Sequence, residues 1–151
     1  MIRRKGRITA CLVALLAAVG APLSAGEAED AAQAAAGAWL QIVDGGNYSA
    51  AWNQAAAALK RAARQPEWGE QAEAVRGSLG ALQSRKVKSR EYTEKAPATR
   101  TIGGRVYTFG EGKYVVIQYE SAFASKAQAV ESVIVAAEPD GAWRVAGYSV
   151  R

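Results

Sequence analysis

The side chains in this sequence that could do chemistry are carboxylates and phenols. The chain has no histidine and one cysteine, Cys11, which lies in an N-terminal segment that we expect to be removed. A Ser-His-Asp relay and a thiolate nucleophile are therefore excluded. A carboxyl group can still take part in proton transfer when an apolar pocket raises its pKa toward the working pH. The candidate acids are Asp44, Glu111, Glu120 and Glu131, and the candidate phenol donors are Tyr48, Tyr92, Tyr119 and Tyr148.

We assign no catalytic role to these acids, because charged side chains are mostly exposed in folded proteins and a solvated surface position is the simpler expectation for each. Asp44 precedes two glycines at a predicted helix end, where exposure is expected, and Glu111 lies in a glycine-rich turn. Glu120 and Glu131 lie on neighbouring predicted strands, where they face either each other or opposite sides of the sheet. A binding protein should tolerate the replacement of either glutamate by Gln, whereas an enzyme should lose activity.

Motifs for phosphate, metal or cofactor binding are missing from the sequence. There is no Walker loop and no EF-hand spacing, and Gly103-Gly104 and Gly110-Glu111-Gly112 lack the strand-to-helix context and the lysine that phosphate binding needs. We therefore predict no metal site and no cofactor, and we interpret these glycines as loop residues.

Aromatic side chains give two interpretations of the interior. The tryptophans of the three predicted helices lie on apolar faces, and the simpler interpretation is that they fill the space between helices and sheet. The alternative is an open aromatic cavity that accepts an apolar small molecule or a side chain of an envelope protein. The residues predicted to line such a cavity are Tyr48, Trp52, Tyr119 and Trp143.

One cluster of basic residues stands out. On a strand, Lys86, Lys88 and Arg90 would share a face and could meet an anionic partner, although a basic sheet edge that discourages association is the preferred interpretation. No aromatic residues interleave with them.

Four of the 19 basic residues and none of the 14 acidic ones precede Gly26, so the remainder carries a net charge near +1. We therefore predict no nucleic-acid partner.

The N-terminal segment has the features of an export signal. Four basic residues precede an apolar run over residues 8–19, and Leu23-Ser24-Ala25 supplies small residues for cleavage after Ala25. The run is shorter than the roughly 18 residues that span a bilayer, so we predict no stable membrane anchor. We expect residues 1–25 to be a signal peptide, residues 26–151 to form one domain, and the protein to be periplasmic or secreted.

The spacing of apolar residues predicts three helices followed by strands. The helices are expected at residues 29–43, from Asn47 to about Arg64, and from Pro66 to about Leu79. In the last strand, alternation places Trp143 and Gly147 on one face and Tyr148 on the other. The strands are expected at residues 85–93, 113–123, 130–137 and 143–150, with a possible extra strand at residues 106–109 inside a long loop. This order is typical of an α+β fold with helices packed on one face of an antiparallel sheet.

These residues also resemble known families. The closing hairpin, Asp140 to Tyr148, resembles that of NTF2-like domains, in which a curved sheet wraps around helices to form a cone. More narrowly, residues 28–151 resemble DUF4019, a bacterial family of exported proteins of unknown function, although the stretch from Arg100 to Gly112 looks longer than the family's loop. The residues that carry the resemblance are Trp39-Leu40, Asp44, Gly46, Tyr48, Trp52, Leu79-Gly80, Ser84-Arg85, Tyr114 to Tyr119, Phe123, Val130-Glu131 and the final hairpin.

The resemblance implies a fold and an envelope location, but no activity. We expect an exported, non-enzymatic binding or accessory module of the bacterial envelope. The alternative is a small pocket enzyme that uses carboxylate and tyrosine groups for proton transfer or hydrolysis on an apolar molecule. A third possibility is a homodimer formed through the open face of the sheet.

Overall fold

A computed structural model describes residues 21–151 and confirms the α+β class. Most of the predicted signal peptide therefore lies outside the described residues. Within them, no helix is both long enough and apolar enough to cross a membrane. In residues 21–151, four helices precede the main sheet: α1 (Ala25–Asp44), α2 (Tyr48–Asn53), α3 (Ala57–Ala62) and α4 (Gln65–Leu79).

Helix α1 has well-defined ends. Its first turn is closed by a capping box, in which the Ser24 hydroxyl accepts from the Glu27 backbone N–H and the Glu27 carboxylate accepts from the Ser24 N–H. After Asp44 the chain turns through Gly46, whose φ of +74° favours glycine. One face of the helix is buried, as its spacing predicts. That face consists of Ala28, Ala32, Ala36, Trp39, Leu40 and Val43.

The second predicted helix is wrong as a single element, because it divides into α2 and α3. The backbone N–H of Ala56 leaves the helical pattern and donates to the carbonyl oxygen of Val145 at 2.8 Å. This bond attaches the connection to an edge strand of the sheet, and it satisfies a backbone oxygen that would otherwise be unpaired. Helix α4 begins with Pro66 in its first turn, where the missing N–H costs nothing.

The four main strands form one curved antiparallel sheet in the order β1-β4-β5-β6. A separate hairpin, β2-β3, lies in the segment predicted to be a long loop. Its turn is Gly103-Gly104, whose φ values of +56° and +76° suit a two-residue turn with both residues left-handed. The strands are β1 (Leu82–Thr93), β2 (Arg100–Ile102), β3 (Arg105–Tyr107), β4 (Tyr114–Phe123), β5 (Lys126–Ala137) and β6 (Trp143–Val150).

Helices α1 and α4 pack on one face of this sheet, which we call the inner face, and α2 packs against these two helices. The core includes Trp39 and Leu40 from α1, Trp68 from α4, and alternate residues of β4 such as Val115 and Ile117. Burial alternates along β4, as expected for a strand whose two faces differ. The opposite, outer face is partly covered by a second cluster that includes Ala56, Tyr114 and Ile134.

Two β-bulges change which side chains reach the inner face. In β1 the register shifts between Val87 and Ser89, so Lys88 is the extra residue and pairs with no residue of β4. Arg90 then pairs with the inward-facing Ile117. The prediction that Lys86, Lys88 and Arg90 share a face is therefore wrong. Arg90 instead contacts Asp30 of α1, with 2.6 Å between Nη1 and Oδ1.

The second bulge lies in β6. Val135 pairs with Val145 while Ile134 pairs with Gly147, so Ala146 is the extra residue. Beyond this point the faces exchange, and Tyr148 lies on the inner face with Trp143. The prediction from simple alternation placed Tyr148 on the other face and is wrong.

Candidate functional site

Four charged side chains meet between the helices and the inner face of the sheet. Asp44 comes from the end of α1, Arg76 from α4, Arg85 from β1 and Glu131 from β5. The Glu131 side chain is fully buried, and those of Arg76, Arg85 and Asp44 are 6%, 13% and 21% exposed. We call these four residues the ionic network. Two positive and two negative charges balance within it.

Arg85 joins the two carboxylates of the network. Its Nε and Nη2 donate to Glu131 at 2.5 and 2.9 Å. Its Nη1 and Nη2 donate to the two carboxylate oxygens of Asp44 at 2.7 and 3.0 Å. Each carboxylate therefore receives two hydrogen bonds from one planar guanidinium, which is the strongest geometry for such a pair.

Arg76 reaches the network from the helix side. Its Nη2 lies 2.8 Å from Asp44 Oδ1, and its Nη1 donates to the Tyr148 hydroxyl at 3.2 Å. The guanidinium carbon lies 4.8 Å from the centre of the Phe123 ring, a cation–π distance. The network therefore links α1, α4, β1 and β5 through side chains that are far apart in sequence.

Glu131 uses its acceptor sites fully. Besides the two donors from Arg85, the Ser121 hydroxyl donates at 2.5 Å and the Tyr148 hydroxyl donates at 2.7 Å. A carboxylate offers about four lone-pair positions. No position remains for an incoming substrate proton.

Hydrogen bonds and charge set the ionisation of the network. Burial alone would raise the pKa of Glu131, but hydrogen bonds from Arg85, Ser121 and Tyr148 outweigh it and hold that pKa below its usual value. For Asp44, burial is likewise outweighed by Arg85 and Arg76, and its pKa is lowered. Burial and the Glu131 charge raise the pKa of the Tyr148 phenol, which therefore stays neutral at physiological pH.

Two expectations about the acids are corrected here. Glu131 was expected at the surface, but it lies on the inner face of β5 and Arg85 supplies the compensating charge. Asp44 was expected to be solvated, yet its carboxylate is held by two arginines. Glu120 lies on the outer face with Lys86 and is 45% exposed, as the surface interpretation predicts. Glu111 is exposed in its turn.

The structure distributes the four predicted lining residues over different places. Tyr48 borders an open cleft of about 700 Å³ beside Asp44 and Arg76. Trp143 borders another cleft of about 470 Å³ between α1 and β6. Neither cleft is lined by Trp52 or Tyr119. A role in ligand binding stays a prediction for all four.

Trp52 and Tyr119 are held by the packing of the domain. The Trp52 indole N–H donates to the Ala63 carbonyl oxygen at 2.9 Å, and the Lys60 ammonium lies 5.3 Å from its ring centre. Tyr119 is 5% exposed within the core, and its hydroxyl has no hydrogen-bond partner among residues 21–151. Burial raises the pKa of this phenol.

A smaller cavity lies under the β2-β3 hairpin and shares Arg76 with the lining of the Tyr48 cleft. We call it the hairpin cavity, and its volume is about 160 Å³. No sequence pattern was interpreted as this cavity, although Gly103-Gly104 between two short β-prone runs is a hairpin signal. Its walls come from α4, the hairpin and β6. The lining residues include Trp68, Gln71, Ala72, Val75, Arg76, Ile102, Tyr107 and Tyr148.

Two polar atoms of residues that line the hairpin cavity lack partners. Arg76 Nε and Gln71 Oε1 are buried and make no hydrogen bond within residues 21–151. Such atoms are uncommon in folded proteins, because an unpaired buried polar group costs roughly 1–3 kcal/mol. In the described part of the chain, no three His, Cys, Asp or Glu side chains are grouped so that they could hold a metal ion.

The sequence matches a known family over most of its length. The family described as a protein of unknown function (DUF4019) matches residues 35–148. The chain belongs to this family. The DUF4019 match begins inside α1 and ends inside β6, so it contains all four residues of the ionic network and the β2-β3 hairpin. No curated protein and no solved structure matches the chain.

Proposed function

We propose that this DUF4019 protein is an exported, non-enzymatic binding module of the bacterial envelope. The observation that carries the proposal is the saturation of Glu131, the most buried acid of the domain interior, by four hydrogen-bond donors. A carboxylate in this state stabilises the fold and has no free position for a substrate. The charged side chains of the interior therefore stabilise the fold, and the clefts at its margins remain available for binding.

The alternative of a pocket enzyme is weaker for the same reason. A general acid must hold a proton near the working pH, but the pKa values of Asp44 and Glu131 are both lowered. A general base must reach the substrate, but Glu131 is fully buried and Asp44 is paired with two arginines. The phenol of Tyr148 donates to Glu131 and is held in its neutral form.

Export is supported by the sequence alone. The basic start, the apolar run and the small residues before Gly26 are the features that signal peptidase recognises. The partners we propose are an apolar small molecule or another envelope protein, with a homodimer through the outer face of the sheet as a further possibility. A net charge near +1 after Ala25 gives no support for nucleic-acid binding.

Export is tested by expressing the full chain with its leader in a bacterium and separating cytoplasm, periplasm and medium. We expect the protein outside the cytoplasm, with N-terminal sequencing that begins at Gly26. A protein that stays in the cytoplasm and begins at Met1 contradicts this part of the proposal. Light scattering on the same material tests the dimer, which a clean monomer would exclude.

Binding is tested by native mass spectrometry of the protein purified without denaturation. We expect a retained small molecule or a co-purified envelope protein whose mass disappears after unfolding and refolding. The enzyme alternative is tested with p-nitrophenyl butyrate, an apolar ester. Hydrolysis that rises with protein concentration and is abolished in Tyr148→Phe would contradict the proposal, whereas we expect no rate above that of the heat-unfolded protein.

A further inference from the structure

We infer that a cleft on the outer face of the sheet binds a soluble phosphate monoester with a small apolar body. The inference goes beyond the proposed function, because none of the four residues predicted to line a pocket borders this cleft. We call it the outer cleft, and its volume is about 650 Å³. The lining residues that carry the argument are Lys86, Lys88, Glu120, Gln128, Val130 and Arg151.

Four of these residues form one row across the sheet. Lys86 pairs with Glu120, and Glu120 pairs with Val130 on the next strand. Val130 and Arg151 exchange two backbone hydrogen bonds of 2.8 and 3.0 Å. Side chains directly opposite each other on neighbouring strands lie on the same face. The row therefore has a positive side chain at each end and an apolar side chain between them.

Two lysines of the outer cleft share one carboxylate. The Lys86 Nζ lies 3.1 Å from one oxygen of Glu120, and the Lys88 Nζ lies 3.7 Å from the other. The two ammonium groups carry six N–H donors, which is more than one carboxylate accepts. The lysine side chains are 76% and 48% exposed, so the remaining donors are accessible to a ligand.

The lysine pair is the source of the uncompensated charge. Arg85 also lines the cleft, but Asp44 and Glu131 already balance its charge within the ionic network. Glu120 balances only one of the two lysines. The cleft therefore attracts anions.

The charge and shape of a phosphate monoester suit this pair of ammonium groups. Such a group carries about −1.5 to −2 charges at neutral pH and has three strong acceptor oxygens. It can accept from both lysines and from a further donor, such as the exposed Gln128 amide. A carboxylate ligand carries only the charge of Glu120 and competes with it less well. An uncharged ligand gains nothing from the ammonium groups.

Small apolar residues provide space beside the lysines. Ala122, Ala129 and Val130 contribute to the lining, and Ala129 is buried. The volume falls within the range of about 300–1,000 Å³ that is typical of small-molecule sites. A single ring or a short chain attached to the phosphate fits over these side chains.

The surroundings of the cleft favour a soluble ligand over a membrane lipid. A protein that lies on a bilayer inserts large apolar side chains into it. Among residues 21–151, the large apolar side chains that are exposed are Leu23, Val75, Val87 and Val106. None of them lines the outer cleft.

The test uses phenyl phosphate as the probe, with benzoate and phenol as matched compounds. Binding to the purified protein is measured by ¹⁵N–¹H NMR shifts of the β1, β4 and β5 amides. We expect phenyl phosphate to bind about tenfold or more tightly than phenol and about threefold or more tightly than benzoate. Binding should weaken when the salt concentration rises from about 0.02 M to about 0.5 M, because salt screens exposed charges. Equal binding of phenol and phenyl phosphate would overturn the inference.

Lysine variants locate the binding. Lys86→Gln and Lys88→Gln should each weaken phenyl phosphate about two- to fivefold, and the double variant about tenfold. Lys126→Gln is the matched control, because Lys126 is exposed at the start of β5 but does not line the cleft. It should leave the affinity within about 1.5-fold. An equal loss in Lys126→Gln and Lys86→Gln would indicate a diffuse positive surface and would overturn the site.

Glu120→Gln gives a test of opposite sign. The change keeps the size of the side chain and removes the anion that competes with the ligand for both lysines. We expect phenyl phosphate to bind about two- to fivefold more tightly to this variant. Unchanged or weaker binding would contradict the competition on which the inference depends.

The remaining outcomes separate this inference from the proposed function. Vesicles of phosphatidylcholine and phosphatidic acid present a phosphate monoester on a membrane. Lysine-dependent binding to these vesicles without binding of phenyl phosphate would overturn the soluble ligand. A natively retained apolar molecule would support the proposed function even if phenyl phosphate did not bind. Hydrolysis of p-nitrophenyl butyrate would instead overturn the proposed function and leave the outer cleft unaffected.

Discussion

Replacement of Glu131 by Gln tests whether the ionic network supports the fold. The change keeps the size of the side chain and removes one negative charge, so the network of two arginines and two carboxylates is left with a net charge of +1. Removing one partner from a buried ion pair typically costs about 3–5 kcal/mol, because the remaining charge stays buried without compensation. Domains of this size have a total stability of about 5–15 kcal/mol, so the loss is a large part of it.

The loss is measured by urea unfolding followed through tryptophan fluorescence, which reports on Trp39 and Trp68 in the core. We expect the midpoint to fall with an unchanged slope, since the slope follows the surface exposed on unfolding. The melting temperature should fall by roughly 10–20 °C.

Glu120→Gln is the matched control. Glu120 is 45% exposed and pairs with Lys86 on the outer face, so its replacement should leave the unfolding midpoint almost unchanged. If the free energy of unfolding of Glu131→Gln lies within about 1 kcal/mol of that of the parent protein, the network does not stabilise the fold as argued. A loss of function in Glu131→Gln therefore does not indicate an enzyme, because the loss of stability alone would explain it.

Three further predictions follow from the same structure. The pKa values of Asp44 and Glu131 are lowered in the folded protein. The stability that these carboxylates contribute is therefore present above the ordinary carboxyl pKa near 4 and is lost as the pH falls below it. Urea unfolding between pH 7 and pH 2 should show this loss, and Asp44→Asn should reduce it. The pKa of Tyr148 is raised, so stability should fall above pH 10, where the unfolded phenol ionises. Tyr148→Phe should make that alkaline loss smaller in urea unfolding, and an unchanged loss would assign it to other tyrosines. Gly103→Asn should lower the free energy of unfolding by no more than about 1 kcal/mol, because the Gln71 amide that it overlaps is the end of a flexible side chain that can move, and Asn itself tolerates a φ of +56°. In a Gln71→Ala background the same change should be nearly neutral, and equal costs in both backgrounds would place the strain elsewhere.

The sequence was sufficient for the order and type of most elements. Hydrophobic spacing predicted α1 with its buried face and the strands that correspond to β4 and β6, because this signal is local. The break between α2 and α3 could not be predicted in this way. It depends on the hydrogen bond from Ala56 to Val145, residues that are 89 positions apart.

The bulges explain the errors about strand faces. A strand alternates with a period of two, so one extra residue exchanges the faces of everything that follows it. Lys88 and Ala146 are such residues, and nothing in their side chains distinguishes them from regular strand residues. The inward positions of Arg90 and Tyr148 were therefore beyond what alternation could predict.

The ionic network was missed for a related reason. The sequence does not show which side chains meet, and a lone buried glutamate is unfavourable. Burial of Glu131 becomes favourable only when Arg85 on the distant strand β1 meets it, which requires the register of three strands. Family membership was recognised from the sequence, because it depends on residue order and does not require contacts.

The capping box at the start of α1 bears on the proposed removal of the leader. A cut after Ala25 would separate Ser24 from Glu27 and take away both halves of the reciprocal bond at once. The new terminal ammonium at Gly26 would lie at the positive pole of the helix, with the Glu27 carboxylate as its neighbour. Processing would then make the first turn of the helix about 1 kcal/mol less stable than in the uncut polypeptide. Release from the leader would thus loosen the first turn of the helix that supplies Asp44.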